Sequence, residues 1–414
     1  MEGARIAMSA TGPQDPFVWG DSNSWVPKQH THSPFVVSQR HLTLSNLNGF
    51  LGNTVQVDFK ANDLQDLLSN MHLKFTLPIN DSHGNQIVYS PMVGRAIINS
   101  VAFMVDGNIV ELITDDWYII RDELFLDADQ KFAMYNVVGQ ASQNSTGGDY
   151  IVPLEFFFCH RKGSHNPYFP ICATNNSVIS VVFNFNPQEW FTNTTDSIEM
   201  IKPILIVEGV TLSDEERLYY QTTPITFDIP TAFREAQLDY VNGVAVLHLT
   251  ANYPVTMMVW FIRNKQFENL DSRFFQNRYE YGYSTKYISS SIPVTFFDGT
   301  TSNYIDVIDQ VTMYFNGVNV LSDFPDGVYH SIKQPMDHHL SIPTKNMYMY
   351  CFTEDPVSYD KNGTVNFANL NYKSTHLDIS FKQQYNVQST FTLNMYYYGY
   401  QKLTVANGVA KFST

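Results

Sequence analysis

The strongest constraint on what this chain can fold into is that it repeats itself. The ten residues from Ile98 to Gly107 align without a gap on those from Ile308 to Gly317, each an alternating segment that runs into Asp106-Gly107 or Asn316-Gly317. Alternation lets a strand put one face on a core, and Asp-Gly and Asn-Gly pairs suit the positive φ angles of a tight hairpin. Val57-Asp58-Phe59-Lys60-Ala61-Asn62 likewise parallels Leu247-His248-Leu249-Thr250-Ala251-Asn252, and Ile179-Ser180-Val181-Val182-Phe183 parallels Leu377-Asp378-Ile379-Ser380-Phe381. One such pair could arise by chance, but three in the same order, half a chain apart, point to a duplicated fold. The seam falls between Leu212 and Ala236, where Ser213-Asp214-Glu215-Glu216 starts a short helix and Thr223-Pro224 and Ile229-Pro230 then favour extended chain.

At 414 residues the chain is too long for one sandwich and gives each half room for eight strands in two sheets. Thirty Phe, 25 Tyr and 44% hydrophobic against 16% charged residues can fill two cores and exclude overall disorder. Most apolar segments are short and end at Gly, Pro, Asn or Asp, so the fold class is all-β with short helices in the connections. A helix is expected after Asp63 through Leu64, Leu67 and Leu68. Residues 115–138, with Trp117, Ile120, Leu124 and Phe125 at helical spacing, read as a long connection carrying helical turns. Val152 to Phe158 reads as deep β sequence, with Glu155 on its solvent-facing side. Asn362-Gly363-Thr364 is a turn.

A formal charge of −15, from 40 acidic against 25 basic side chains, opposes a broad phosphate-binding surface, so direct nucleic-acid binding is not expected. The apolar stretches around residues 151–159 and 256–262 are too short to cross a bilayer as helices. Residues 1–20 lack the basic start and apolar block of a secretory signal, and the chain is expected to fold in a reducing cytoplasm. Cys159, Cys172 and Cys351 are then buried, inert thiols. Sequons at Asn80, Asn144, Asn175, Asn193 and Asn362 mark loops.

Chemistry-bearing motifs are sparse. There is no Gly-x-Ser-x-Gly elbow, phosphate-binding Gly-rich loop or His-Glu-x-x-His helix in the sequence. His30-Thr31-His32 and Asp337-His338-His339 lack further ligands at zinc spacing, and Asp115-Asp116 and Glu215-Glu216 are expected on solvated surface. No catalytic, cofactor-binding or metal-ligating residue is nominated. The segment 264–284 interleaves Lys265, Arg273 and Arg278 with Phe267, Phe274, Phe275, Tyr279, Tyr281 and Tyr283, and reads as a subunit contact.

Several motifs resemble the major capsid proteins of nucleocytoplasmic large DNA viruses, the double jelly-roll family. Val105-Asp106-Gly107 with Trp117, Leu124, Lys131 and Val138-Gly139 is similar to that family's strand, turn and long connection. Val152-Pro153-Leu154-Glu155-Phe156-Phe157-Phe158-Cys159 followed by Asn166-Pro167-Tyr168-Phe169-Pro170-Ile171 resembles a second conserved stretch. In the other half the resemblance lies in Val259-Trp260-Phe261-Ile262-Arg263-Asn264, Phe315-Asn316-Gly317, the segment from Tyr348 to Pro356, Gly363-Thr364-Val365-Asn366-Phe367, the segment from Asn394 to Tyr400, and Gly408-Val409-Ala410. Lys361-Asn362, Ala368-Asn369 and Tyr168-Phe169-Pro170 depart from the family pattern and mark a divergent branch.

The resemblance implies an N-terminal arm over 1–39, a first jelly roll over 40–221 and a second over 222–414. It implies a structural major capsid protein whose homotrimeric, pseudo-hexagonal capsomers tile the icosahedral shell of a large double-stranded DNA virus. The implied partners are the chain itself, neighbouring capsomers, penton and minor capsid proteins and an internal virion membrane. Assembly would take place in host cytoplasm, and no cofactor is implied. Loops at 140–149, 264–284 and 355–363 would decorate the outer surface or trimer contacts. Two alternatives stand beside this reading: a related viral assembly scaffold, and a paired-sandwich glycan-binding or glycan-processing protein with a carboxylate-bearing aromatic cleft.

Overall fold

Eight strands between Val36 and Thr211 pair into two four-stranded antiparallel sheets. One holds β1 (Val36–Thr43), β3 (Leu67–Leu77), β6 (Gly148–Pro153) and β8 (Ile201–Thr211) in the order β1-β8-β3-β6. The other holds β2 (Thr54–Phe59), β4 (Ile98–Val105), β5 (Asn108–Thr114) and β7 (Ile179–Phe185) in the order β2-β7-β4-β5. Strands that alternate between two sheets in this way make a jelly roll. Helices α1 (Val93–Ala96), α2 (Asp115–Leu124) and α3 (Ala128–Val138) lie in its connections, and α4 (Asp214–Thr222) follows β8, with the Ser213 hydroxyl accepting the Glu216 N–H. The computed structural model describes residues 35–412 apart from 61–62, 141–143, 160–167, 175–176, 193, 236–238, 242–243, 265–278, 280, 282, 285–293, 296–300, 303, 306, 326, 358–362 and 383–390.

Beyond α4 the arrangement recurs. β9 (Ile225–Glu235), β10 (Val244–His248), β11 (Val255–Asn264), β12 (Ile308–Phe315), β13 (Val318–Pro325), β14 (Met347–Cys351), β15 (His376–Phe381) and β16 (Phe391–Ala406) form sheets ordered β9-β16-β11-β14 and β10-β15-β12-β13. Each strand of the first lobe thus has its counterpart eight strands later. A terminal strand, Val409–Phe412, pairs antiparallel with the end of β16, and a short strand, Asp239–Val241, adds an edge beside β10.

The pairing registers repeat as well. Val57 faces Val181 as Leu247 faces Leu377, and Val101 faces Phe183 as Val311 faces Ile379. The irregularity between Ile98 and Ser100 recurs between Ile308 and Gln310. These registers correct the third repeat read from sequence: Leu377–Phe381 corresponds to residues 181–185, two places along from 179–183. A two-residue slide keeps every side chain on its face, so alternation alone cannot detect it. Opposite a further shared bulge, Gly209 and Gly399 occupy equivalent places, and a Cβ on either would collide with a backbone carbonyl oxygen, of Leu67 and of Pro254 respectively.

Three local expectations change. Leu67 and Leu68 open β3 instead of continuing a helix, because the buried positions Met71, Leu73, Phe75 and Leu77 downstream run at period two. The run from Val152 is deeply buried, but its strand ends at Pro153, which has no N–H to pair. Glu155 then takes a positive φ of 56°, and Phe157–Cys159 forms a 3-10 turn. β11 and β14 are antiparallel neighbours, so the chain leaves them, at Asn264 and Cys351, at opposite ends of the second sandwich; most of loop 264–284 and residues 358–362 lie outside the described residues. Residues 36–39 already belong to β1, while 1–34 lie outside the described residues. Among the described residues, no helix is long and apolar enough to cross a membrane.

Candidate functional site

The two lobes meet through α2, which leaves β5 with Thr114 as its cap, the Trp117 N–H donating to Thr114 Oγ1. All ten residues of α2 are buried although five of them are acidic or basic, a placement that demands partners. Arg95 of α1 meets Asp122 in a fork, with Nε 3.0 Å from Oδ2 and Nη2 3.2 Å from Oδ1, and its third nitrogen donates to the Pro153 carbonyl at 2.6 Å. The same guanidinium lies 4.1 Å over the Tyr118 ring centroid. Arg121 pairs with Glu155 at 2.9 Å.

The remaining acids reach the second lobe. Asp116 pairs with Arg263 of β11 and accepts the Tyr281 hydroxyl at 2.7 Å, and Asp115 accepts that of Tyr279 at 2.9 Å. Glu123 accepts the Thr344 N–H at 2.8 Å and its hydroxyl at 2.9 Å, with Lys131 at 3.6 Å. Trp117 stacks on Tyr396 and Tyr398 of β16, ring centroids 6.0 and 5.2 Å apart, and Phe125 lies 5.3 Å from Tyr398.

β11 and β16 are buried on both faces as a result. Met258, Trp260, Ile262, Met395 and Tyr397 fill the second sandwich, whereas Met257, Val259, Phe261, Tyr396 and Tyr398 join the first lobe's core. A strand covered on both sides reads as a continuous hydrophobic run, which accounts for residues 256–262.

Glu111 of β5 is a buried carboxyl on the first-lobe side. Burial pushes its carboxyl up to about 8, Glu155 adds to the rise, and the Phe157 N–H donated to it at 2.7 Å and the nearby Arg121 work the other way. Burial also raises Asp122, with Arg95 pulling it back.

The sequence expectations fare unevenly here. Asp115-Asp116 is buried at the seam instead of solvated, because Arg263 and two tyrosines come from a distant segment to meet it. Glu155 faces Arg121 and not open solvent. Tyr279 and Tyr281 are buried within the chain instead of serving a subunit contact, while Lys265, Phe267, Arg273, Phe274, Phe275 and Arg278 lie outside the described residues. Cys172 and Cys351 are buried and Cys159 is half-buried; burial raises all three thiols. Asn80 and Asn144 are exposed in loops, and the other sequon asparagines lie outside the described residues, as do His30 and His32.

Asp337 ends a helical turn, Gln334–Asp337, and pairs with Lys333, while His338 Nδ1 lies 3.0 Å from the Glu354 carbonyl oxygen. One group that the sequence did not single out is Asp81, His83 and Asp196, whose ligand atoms lie within 4.8 Å of one another. Asp196 already accepts the Ser82 N–H at 3.0 Å and Asp81 those of His83 and Asn85 at 2.9 and 2.8 Å, so the group ties two loops together. A shallow cleft of about 270 Å³ adjoins it.

Comparison with known proteins agrees with this architecture. Residues 25–221 match the family model described as major capsid protein N-terminus, and residues 229–410 that of the large eukaryotic DNA virus major capsid protein. The major capsid protein of Paramecium bursaria Chlorella virus 1 is 21% identical over 415 residues, covering 91% of this chain and 89% of that protein. A chain of the same virus's capsid superposes with a TM-score of 0.75 at 17% identity, covering 95% of this chain and all of the other. The Faustovirus major capsid protein gives 0.70 at 10% identity over 97% and 96%. Both halves of the duplicated fold are therefore accounted for, and the chain belongs to the major capsid protein family of large eukaryotic DNA viruses.

Proposed function

We propose that this chain is the shell-building subunit of a large DNA virus, with homotrimers acting as pseudo-hexagonal capsomers in an icosahedral capsid. The observation that carries the reading is the repetition of strand order and register in both lobes. Two similar lobes per chain give a trimer six similar edges, so an object of threefold symmetry can occupy a site with six neighbours. We place the lobe boundary at Thr222, the last residue of α4, with residues 1–35, ahead of β1, as an arm. Neighbouring capsomers, penton and minor capsid proteins and an internal membrane are the partners proposed, in a virion assembled in host cytoplasm.

Light scattering coupled to size exclusion on the purified full chain tests this. A particle of three times the chain mass is expected; a stable monomer, particularly one whose melting temperature rises with added glycans, overturns it. Abundance in purified virions separates the shell subunit from an assembly scaffold.

A further inference from the structure

We propose that the outer face of the β1-β8-β3-β6 sheet is the seat for the helical segment after β13 of a second copy of this chain. The joint would repeat between copies the one that α2 makes with the second lobe inside a single copy. The inference rests on the trimer reading and specifies which surfaces make it.

Inside the chain, α2 presents Trp117, Arg121 and Phe125, four residues apart, to the β9-β16-β11-β14 sheet, where Trp117 and Phe125 lie against Tyr396 and Tyr398. The repeated registers identify the first-lobe equivalents of that seat. His72 faces Ile206 as Val259 faces Tyr396, and Asn70 faces Glu208 as Met257 faces Tyr398. Ile206 therefore stands where Tyr396 does, and Glu208 where Tyr398 does. Across β6 and β14, Ile151 stands where Met347 does. The second-lobe face is covered and the first-lobe face is open: Met347 is 1% exposed and Ile151 38%.

The matching donor is also present. Just as α2 follows β5, a π-helical turn (Tyr329–Lys333) capped by Val328 and running into an α-helical turn (Gln334–Asp337) follows β13. It leaves Val328, Ile332 and Met336 exposed at 51%, 40% and 57%. Four residues is close to one turn of either helix type, so the three form one stripe, and with one inserted residue they are the counterparts of Trp117, Arg121 and Phe125. A solvent-exposed seat on one lobe and a solvent-exposed apolar stripe on the other, related by the duplication that already joins the lobes once, fit each other in a second copy.

The composition of the open seat supports a joint made after folding. Where the covered seat has Val259, Phe261 and Tyr398, the open one has His72, Lys74 and Glu208. A surface that must stay soluble before assembly needs polar groups among its apolar ones. Seat and stripe are unlike surfaces on opposite lobes, so the contact is head-to-tail and forms a ring when the rotation closes.

The test is cross-linking of the full-length chain carrying Ile206→Cys with Val328→Cys, or Glu208→Cys with Met336→Cys, using a short bismaleimide. Light scattering of the untreated variants is measured in parallel. Leu218→Cys with Val328→Cys, pairing the stripe with the exposed face of α4, is the control. Covalent rings of three from both test pairs and none from the control are expected, with dimers when the two single variants are mixed. Trimers by light scattering that fail to cross-link at both test pairs, or that cross-link equally at the control, overturn the mapping and leave the trimer standing. Monomers throughout overturn both.

Discussion

Glu111 sets up a pH-dependent loss of stability that a single substitution should remove. Its buried carboxyl is pushed from the ordinary 4.5 up to about 8 by loss of water, with Glu155 adding and the Phe157 N–H and Arg121 opposing. The folded chain therefore keeps a proton that the unfolded chain releases above about pH 4.5, so stability declines as pH rises from there to about 8 and levels off beyond. Each pH unit in that window is worth about 1.4 kcal/mol, which puts the deficit at ~3 kcal/mol by pH 7. Glu111→Gln keeps an acceptor for the Phe157 N–H and has nothing to titrate. Urea unfolding of the two proteins at one protein concentration should give similar stabilities near pH 4.5 and a variant ~3 kcal/mol more stable at pH 7. Parallel pH profiles would refute the reasoning, because they would mean that Arg121 holds Glu111 ionised in the folded state.

The seam gives a second expectation: Arg263→Met alone leaves Asp116 buried and should cost ~3–5 kcal/mol, whereas adding Asp116→Asn should recover ~2 kcal/mol of it. Urea melts of the full double-mutant cycle measure this, and strict additivity would show that the pair is not coupled. Gly209→Ala and Gly399→Ala each drive a methyl group into a carbonyl oxygen across a bulge and should each destabilise by ~1–3 kcal/mol. A loss at one site only, read from thermal melts, would argue against equivalent backbone approaches in the two lobes.

The internal repeat was legible because strand alternation and the Asp-Gly and Asn-Gly turns are local chemistry. Both turns form as expected, Asp106 and Asn316 sharing a φ of 51° ahead of Gly107 and Gly317. The helical spacing from Trp117 to Phe125 was legible for the same reason. Less was visible of where these elements go. Nothing near Asp115-Asp116 in the sequence announces Arg263, Tyr279 or Tyr281, so two adjacent acids read as surface.

By itself the sequence determined that this chain would build strands, twice, with short helices between, since periodicity and turn residues act over a few positions. Only the tertiary structure decided the two-residue register of the third repeat, the burial of α2 with its charges, and which sheet is covered on both faces. Those depend on partners far apart in the chain, where a shift of two residues or a change of neighbour leaves the local pattern unaltered.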